Sequence, residues 1–259
     1  MAGKPSLPAG IDPSAPKVRL RSDLAALSPA LIIFDKDGTL IDFHAMWGRW
    51  ATELARRLED ETGLDLAKRL FQVMDFDAQS GYIAPEGNLA VTPLAGLRAL
   101  AVAVLSKFGL APDEAETALM KAWHAPEPSV LAQPLTDLPL LFTTLRRTGF
   151  KIAIATSDDR RPTEALLNAW QLTHLVDGLV CADDGLPIKP APNMVLALCH
   201  RLNVLPQNTI VVGDNLPDLQ MGRHAGVALT IGVLSGVGSV TVLAPWADLV
   251  LNSIAELVE

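Results

Sequence analysis

The chain is poor in cysteine, in basic residues relative to acidic ones, and in long apolar runs. Its two cysteines, Cys181 and Cys199, cannot supply a disulfide framework for 259 residues, which indicates a reducing, cytoplasmic setting. Acidic residues outnumber basic ones by 29 to 21, so the basic excess typical of nucleic-acid-binding proteins is missing. No apolar run approaches the ~20 residues that span a bilayer. We therefore expect neither a nucleic acid nor a membrane as a partner.

The composition is otherwise that of a folded globular protein. Hydrophobic residues make up 49% of the chain and charged residues 19%, enough apolar side chain for a buried core. At about 150 residues per domain, the length predicts one large α/β unit or a core with a smaller insert. The first thirty residues hold five prolines and no continuous apolar segment, so residues 1–28 are predicted to form an extended or mobile arm. A cleaved organellar peptide fits less well, because Asp12 and Asp23 are acidic.

Short apolar runs alternate with segments of helical periodicity along much of the chain. The first run, residues 31–34, is unbroken, as expected of a strand covered on both faces of a parallel sheet. Further strands are predicted at 151–155, 179–181, 209–212 and 228–231, with helices at 138–147, 163–170, 193–202 and 218–225. Such alternation predicts a parallel α/β sheet with right-handed crossovers.

Residues 43–135 interrupt this alternation. Apolar residues between Met46 and Leu58 recur every fourth position, which is typical of an amphipathic helix, and no clear strand follows. Further helices are predicted at 64–74, 94–108 and 112–123. A proline-dense segment at 125–139 is interpreted as the connection that returns from the helical block to the core. The predicted organisation is an arm at 1–28, a core at 29–42 and 136–259, and a helical cap at 43–135.

Polar side chains follow the predicted strands at the end where an open parallel sheet binds its ligands. They are Asp35 and Asp37 after the first strand, Thr156 and Ser157 after the second, Lys189 after the third, and Asp214 with Asp218 after the fourth. Because these strand ends share one edge of the sheet, we expect the side chains to lie close together.

The segment FDKDGTL places two carboxylates in one turn, where Gly38 allows a sharp bend. If one carboxylate is a nucleophile, the other can protonate a leaving group and later deprotonate water. Two like charges so close repel each other, so a divalent cation or a proton is expected between them.

The remaining polar residues complete a phosphate site. Asp214 and Asp218 add hard oxygen ligands, which in this number suit Mg²⁺. Lys189 offers a compact positive charge and Thr156 a hydroxyl donor, both useful against a phosphoryl oxygen.

Each feature also has an ordinary structural interpretation. A DxDG turn is most often a solvated Asx turn, and Thr156 can cap the helix that follows it. Lys189 can be a solvated residue before a helix, and Asp218 a first-turn acid facing the helix dipole. Their occurrence at successive strand ends of one sheet favours the functional interpretation.

The motifs resemble those of the haloacid dehalogenase superfamily, specifically its phosphatase members with a helical cap, such as phosphoglycolate phosphatases. The resemblance covers about residues 31–259, and the order, spacing and strand context of the motifs agree. The motifs are DKDGTL at 35–40, Thr156 in IAIATSDD, Lys189 in KPAPNM and GDNLPD at 213–218. The fold it implies is a Rossmann-like parallel α/β sheet core with an inserted α-helical cap domain.

The resemblance also implies residue roles. Asp35 would be the nucleophile that forms an aspartyl phosphate, and Asp37 the general acid and base. Thr156 and Lys189 would bind the phosphoryl group, with Lys189 screening the nucleophile.

The implied cofactor is Mg²⁺. Asp35, the backbone carbonyl of Asp37, and Asp214 would hold it. Asp218 would bind through water or orient the other ligands.

Two positions depart from the family pattern. Lys36 stands between the aspartates where an apolar residue is common, with consequences that the sequence leaves open. Ser157 follows Thr156 where asparagine is frequent; its hydroxyl still suits phosphate binding, so we expect no loss of activity.

The position of the insert bears on the substrate. The interval from Asp37 to Thr156 leaves roughly 100 residues for a cap, whereas the interval from Thr156 to Lys189 holds one helix and one strand. By family analogy, a cap after the first strand favours a small phosphorylated metabolite, since closure excludes bulk water and large partners. The chain is expected to act as a monomer or a homodimer.

Other candidates for substrate contact lie in the cap. His44 and Arg49 lie near the predicted junction of core and cap. They either contact substrate or are ordinary surface and packing residues. Residues 81–90 form a loop that either reaches into the site or is an ordinary turn. The glycine-rich segment 232–240 lacks the third glycine of a dinucleotide fingerprint, so it is interpreted as a loop beside the phosphate site.

The residues favour a phosphatase but leave alternatives open. A phosphosugar mutase of the beta-phosphoglucomutase type uses the same core residues. A dehalogenase fits less well, because its chemistry needs neither Mg²⁺ nor the acid that Asp37 offers. A non-catalytic phosphate-binding or regulatory module on the same fold is the alternative of another class.

Overall fold

The structure is a computed structural model that describes residues 30–92, 94–124 and 128–258; the predicted arm lies outside these ranges. Its strands are β1 (Leu31–Phe34), β2 (Phe76–Asp77), β3 (Tyr82–Ile83), β4 (Lys151–Ala155), β5 (Gly178–Val180), β6 (Thr209–Gly213), β7 (Leu229–Val233) and β8 (Leu249–Leu251). Six of them form a sheet in the order β5-β4-β1-β6-β7-β8, and every pairing in it is parallel. The predicted parallel α/β architecture is therefore confirmed.

Helices cover the sheet and build the insert. They are α1 (Phe43–Thr62), α2 (Ala67–Met74), α3 (Asn88–Val91), α4 (Leu94–Lys107), α5 (Pro112–Ala122), α6 (Pro128–Leu131), α7 (Leu138–Arg147), α8 (Arg160–Ala169), α9 (Asn193–Leu202), α10 (Leu216–Ala225) and α11 (Val240–Leu243). Among the described residues, none of the helices has both the length and the apolar character to cross a bilayer.

Strand β1 lies in the middle of the sheet because its apolar residues are covered on both faces. All four residues are fully buried. Ile32 and Phe34 belong to the apolar cluster on one face, while Leu31 and Ile33 belong to the cluster on the other, as the two-residue period of a strand requires. The carboxyl end of β1 therefore opens at the centre of the sheet edge, where Asp35 follows.

Residues 43–135, the predicted cap and here called the insert, contribute all the buried members of a second apolar cluster except Val237. Its centre is Trp50 of α1, which is fully buried, stacks edge-on against Trp123, and donates its indole N–H to the carbonyl of His124 at 2.8 Å. The two connections to the core run side by side: the Asp42 amide donates to the Gln133 carbonyl at 2.8 Å. This hydrogen bond places the described end of the proline-dense segment beside Asp42.

Two sequence expectations on strands were wrong. The insert is not purely helical, because β2 and β3 pair as an antiparallel hairpin within it. Strand β8, at the edge of the sheet beside β7, was missed. Strands β2 and β3 have only two residues each, which is too short to show a hydrophobic period.

Candidate active site

Three buried carboxylates meet at the carboxyl edge of the sheet. Asp35 follows β1, Asp214 follows its neighbour β6, and Asp218 lies in the first turn of α10. Each offers one oxygen atom within 4.8 Å of the others. Their exposed fractions are 8%, 2% and 3%, so the negative charges are largely removed from water.

Lys189 is the positive charge in this cluster. Its Nζ contacts Asp35 Oδ1 and lies 2.7 Å from Asp218 Oδ1. Three carboxylates and one ammonium leave two negative charges uncompensated, and buried charges are costly unless they are paired or bind a metal. The three carboxylates each offer a hard oxygen ligand at the same place, which fits a divalent cation such as Mg²⁺.

Burial and mutual repulsion shift the ionisation of the cluster. Burial raises the pKa of Asp35 to about 6, against the opposing charge of Lys189. Burial, followed by the charges of Asp35 and Asp218, raises the pKa of Asp214 well above its ordinary value. Burial by itself lowers the pKa of Lys189, but the two carboxylates beside it outweigh burial and raise it. A bound cation would offset the repulsion between these carboxylates and so lower the pKa values of Asp35 and Asp214.

Asp218 has one carboxylate oxygen in the first turn of α10 and the other beside Lys189. Its Oδ2 accepts the Asn215 amide at 3.1 Å, closing the first turn of α10 as a helix-capping acid does, while Oδ1 faces Lys189. Gly213 permits this position, because a Cβ there would lie 2.3 Å from the Asp218 Cβ.

Asp214 is held by the loop that follows β7. The sequence predicts a loop beside the phosphate site here, but not its contact with Asp214. The Val237 amide donates to Asp214 Oδ2 at 2.8 Å, and a Cβ on Gly236 would lie 2.0 Å from the same oxygen. Ser235 donates its hydroxyl to the carbonyl of Gly38 at 2.7 Å. The glycine-rich segment is thus a loop beside the site, and the Val237 side chain joins the apolar cluster of the insert.

Asp37 lies apart from the carboxylate cluster in its contacts. Its Oδ2 is 2.6 Å from the Nζ of Lys36, and its Oδ1 is buried and accepts no hydrogen bond from the described residues. Burial raises the pKa of Asp37 to about 7, although the charge of Lys36 opposes the shift. A carboxyl group with this pKa can both donate and accept a proton near neutral pH.

Thr156 and Ser157 differ in their surroundings. Thr156 is buried, and its hydroxyl oxygen accepts the Asp158 amide at 3.1 Å, which leaves the hydroxyl proton free for another acceptor. Ser157 is exposed. The alternative in which Thr156 caps the next helix is wrong, because α8 begins at Arg160 with Asp159 as its N-cap residue.

His44 and Arg49 line a groove of about 350 Å³ on the insert, together with Phe76. The Nδ1 of His44 accepts the Ile83 amide at 3.2 Å, and its ring stacks on Tyr82, so His44 anchors the hairpin to α1. The predicted loop at 81–90 was partly wrong, since it contains β3 and α3.

A larger groove of about 620 Å³ lies between α8 and β5 and contains none of the site carboxylates. The candidate site is therefore assigned from its chemistry and not from cavity size.

The fold and this site define a class: a parallel α/β protein with three buried carboxylates that could hold a cation and a further carboxylate, that of Asp37, in the same turn as Asp35. The model of the haloacid dehalogenase-like hydrolases matches residues 29–226. The chain belongs to this family.

Named relatives are consistent with this assignment. The chain is 28% identical over 224 residues to a phosphoglycolate phosphatase of Aquifex aeolicus, covering 86% of this chain and 88% of that protein. It is 27% identical over 206 residues to a phosphoglycolate phosphatase of Rhodospirillum rubrum, covering 78% and 79%. A crystal structure of a hydrolase of the same family from Deinococcus radiodurans, with bound phosphate and sodium, shares the fold. Its TM-score is 0.62 at 22% identity, covering 89% of this chain and 94% of that one.

Proposed function

We propose that the protein is a Mg²⁺-dependent phosphatase that hydrolyses a small phosphomonoester through an aspartyl-phosphate intermediate on Asp35. The observation that carries the proposal is the division of the site. Asp35 lies with Asp214, Asp218 and Lys189 in a cluster suited to a cation and a phosphoryl group. Asp37 lies outside it, with one carboxylate oxygen that accepts no hydrogen bond from the residues described in the structure.

In the first proposed step, a carboxylate oxygen of Asp35 attacks phosphorus and the bond to the leaving oxygen breaks. Asp37 gives its proton to that oxygen, so the alcohol leaves neutral. In the second step Asp37 takes a proton from water, which attacks phosphorus and releases inorganic phosphate with Asp35 regenerated. Lys189, Thr156 and Ser157 would hold the phosphoryl oxygens.

Asp35, Asp214 and the backbone carbonyl of Asp37 would hold Mg²⁺, with Asp218 binding through water or orienting the ligands. The cation would neutralise charge on the phosphoryl oxygens. The fit rests on the two uncompensated negative charges of the buried cluster.

The proposed substrate is a small phosphorylated metabolite, which His44 and Arg49 on the insert would contact. Two relatives that match most of the chain are named as phosphatases of phosphoglycolate, a small phosphomonoester. Neither nucleic acid nor membrane is proposed as a partner, and the protein would act as a monomer or homodimer. A reducing, cytoplasmic setting is part of the proposal, supported by Cys181 and Cys199, which are free and buried.

A mutase uses the same core residues, but the named relatives above favour release of phosphate over its transfer between positions of a sugar. The two activities differ in product: a phosphatase releases inorganic phosphate, and a mutase exchanges isomers.

A panel of phosphorylated metabolites tests the proposal. The purified protein, incubated with Mg²⁺ and each compound, is expected to release inorganic phosphate from at least one small phosphomonoester, phosphoglycolate included in the panel. Asp214→Asn, prepared in parallel, controls for contaminating phosphatases and is expected to be inactive. Isomer exchange without phosphate release, or no turnover by the folded protein on any compound, would contradict the proposal.

A further inference from the structure

Lys36 is a buried lysine whose position the phosphatase mechanism does not explain. Its side chain is 2% exposed, in a turn where an apolar residue would be less costly to bury. Its Nζ lies 2.6 Å from Asp37 Oδ2 and 2.8 Å from Asp158 Oδ2. A buried ion pair contributes little net stability compared with an apolar replacement, so this arrangement calls for another reason.

Lys36 lies against one of the two carboxylate oxygens of Asp37. The ion pair holds Oδ2, whereas the buried Oδ1 accepts no hydrogen bond from the described part of the chain. The backbone of Lys36 organises the same turn, because its carbonyl accepts the amides of Leu40 at 2.9 Å and Ile41 at 3.1 Å. One carboxylate oxygen is thereby anchored, and the other keeps its capacity to exchange a proton.

The second partner of Lys36 connects this turn to the neighbouring strand end. Asp158 donates its amide to the hydroxyl oxygen of Thr156 at 3.1 Å, and its carbonyl accepts the amide of Ala182 at 2.9 Å. Asp158 is therefore fixed by its own backbone contacts while its carboxylate reaches Lys36. The ends of β1, β4 and β5 are linked through this set of contacts.

We propose that Lys36 is a positioning residue for proton transfer, which orients Asp37 toward the leaving oxygen, and that Asp158 is its second anchor. This inference rests on the proposed function, because it assigns a task to Lys36 within the same reaction. Lys36 contacts neither the phosphoryl group nor the cation; it acts through Asp37.

The inference requires that loss of Lys36 lowers kcat/KM most for esters whose leaving group is poor. An alkyl alcohol leaves as an alkoxide unless an acid protonates it, whereas p-nitrophenolate leaves without much help. General acid–base catalysis contributes about 10²- to 10⁴-fold to a rate, so misdirecting the acid removes part of that factor only where protonation matters. The value of kcat/KM reports the transfer to Asp35, which is the step that contains the leaving group.

The test compares Lys36→Met, Lys36→Arg and Asp158→Asn with the wild-type protein on phosphoglycolate and p-nitrophenyl phosphate. We expect K36M to lose about tenfold or more of kcat/KM on phosphoglycolate and less than about threefold on p-nitrophenyl phosphate. K36R, which keeps the positive charge, is expected to retain most of the wild-type kcat/KM on phosphoglycolate. D158N is expected to lose less kcat/KM than K36M, again more on phosphoglycolate than on p-nitrophenyl phosphate. Lys151→Met is the matched control, because Lys151 is exposed at the opposite end of β4, where its Nζ donates to the Leu202 carbonyl.

Each outcome decides the inference. Equal losses on both esters, or none, in folded K36M would overturn it. If K36M does not fold, the ratio of kcat/KM for the two esters is measured on D158N and decides in the same way. If the wild-type protein releases phosphate from no compound of the panel, the proposed function fails and the inference fails with it. If it hydrolyses another alkyl phosphate and not phosphoglycolate, that ester replaces phosphoglycolate in the comparison. If the wild-type protein hydrolyses both esters and the variants have the same ratio of kcat/KM values as the wild-type protein, only the inference fails.

Discussion

Replacing Asp35 by asparagine is expected to abolish phosphate release from p-nitrophenyl phosphate while the protein stays folded. The amide cannot act as the nucleophile, and loss of a nucleophile costs on the order of 10⁴-fold or more in turnover. The fold should tolerate the change, because D35N removes one of three crowded negative charges and Lys189 keeps its contact with Asp218 at 2.7 Å. Turnover at saturating Mg²⁺ and the thermal unfolding midpoint are the two measurements.

The control for D35N is an equivalent change of charge outside the site. Asp65 is exposed in the connection between α1 and α2, so Asp65→Asn should leave turnover unchanged. Undiminished activity of D35N, in a preparation where Asp214→Asn is inactive, would remove Asp35 from the role of nucleophile.

Removal of the cation is expected to stop turnover and to lower stability in a pH-dependent way. In the metal-free protein the pKa of Asp35 is raised to about 6 and that of Asp37 to about 7, both above the ordinary value of a carboxyl group. The folded state then binds protons more tightly than the unfolded state. The stability that these groups contribute is complete below their unfolded pKa and is lost as the pH rises through about 6 and 7. Mg²⁺ would displace the proton of Asp35, so its stabilising effect grows with pH.

Thermal unfolding with Mg²⁺ and with a chelator, at about pH 5 and about pH 8, measures this effect. At a concentration of about 100 times Kd, binding adds about 2.7 kcal/mol, which corresponds to a rise in midpoint of roughly 5–10 °C at the higher pH. At the lower pH the rise in unfolding midpoint should be smaller. Asp214→Asn is expected to lose most of the Mg²⁺-dependent rise at both pH values. A full rise in this variant, or no rise in the wild-type protein, would contradict the assignment of the cluster as a cation site.

Sequence reasoning predicts the centre of this fold better than its edges. The bounds of β1 and β4 follow from unbroken apolar runs that stop at Asp35 and Thr156, because a strand buried on both faces cannot continue through a polar residue without cost. The hairpin of β2 and β3 depends on tertiary contacts, among them the bond between the Ile83 amide and His44, and such contacts leave no period in the sequence.

The same contrast holds in the candidate site. Asp35, Asp214 and Lys189 are predictable, since each follows a strand of one parallel sheet and the topology brings strand ends together. The loop after β7 is predicted beside the site, but its contact with Asp214 is not predictable. That contact depends on the Val237 amide and on the space that Gly236 leaves, neither of which has a side-chain signature.

Lys36 shows a further limit of the sequence. It is visible as an unusual residue between two aspartates, but only the structure shows that its side chain turns to Asp37 and Asp158. Partner choice by a long side chain depends on which loops approach it, and that is a property of the assembled fold.

The most direct measurement is chemical trapping of the intermediate on the enzyme. The protein is mixed with Mg²⁺ and p-nitrophenyl phosphate, quenched during turnover, and treated with borohydride, which reduces an aspartyl phosphate to homoserine; the modified residue is then located by mass spectrometry of the peptides. We expect homoserine at position 35 in the wild-type protein and none in Asp35→Asn. Homoserine at another aspartate, or continued phosphate release with no modified residue under the same quench, would contradict the account.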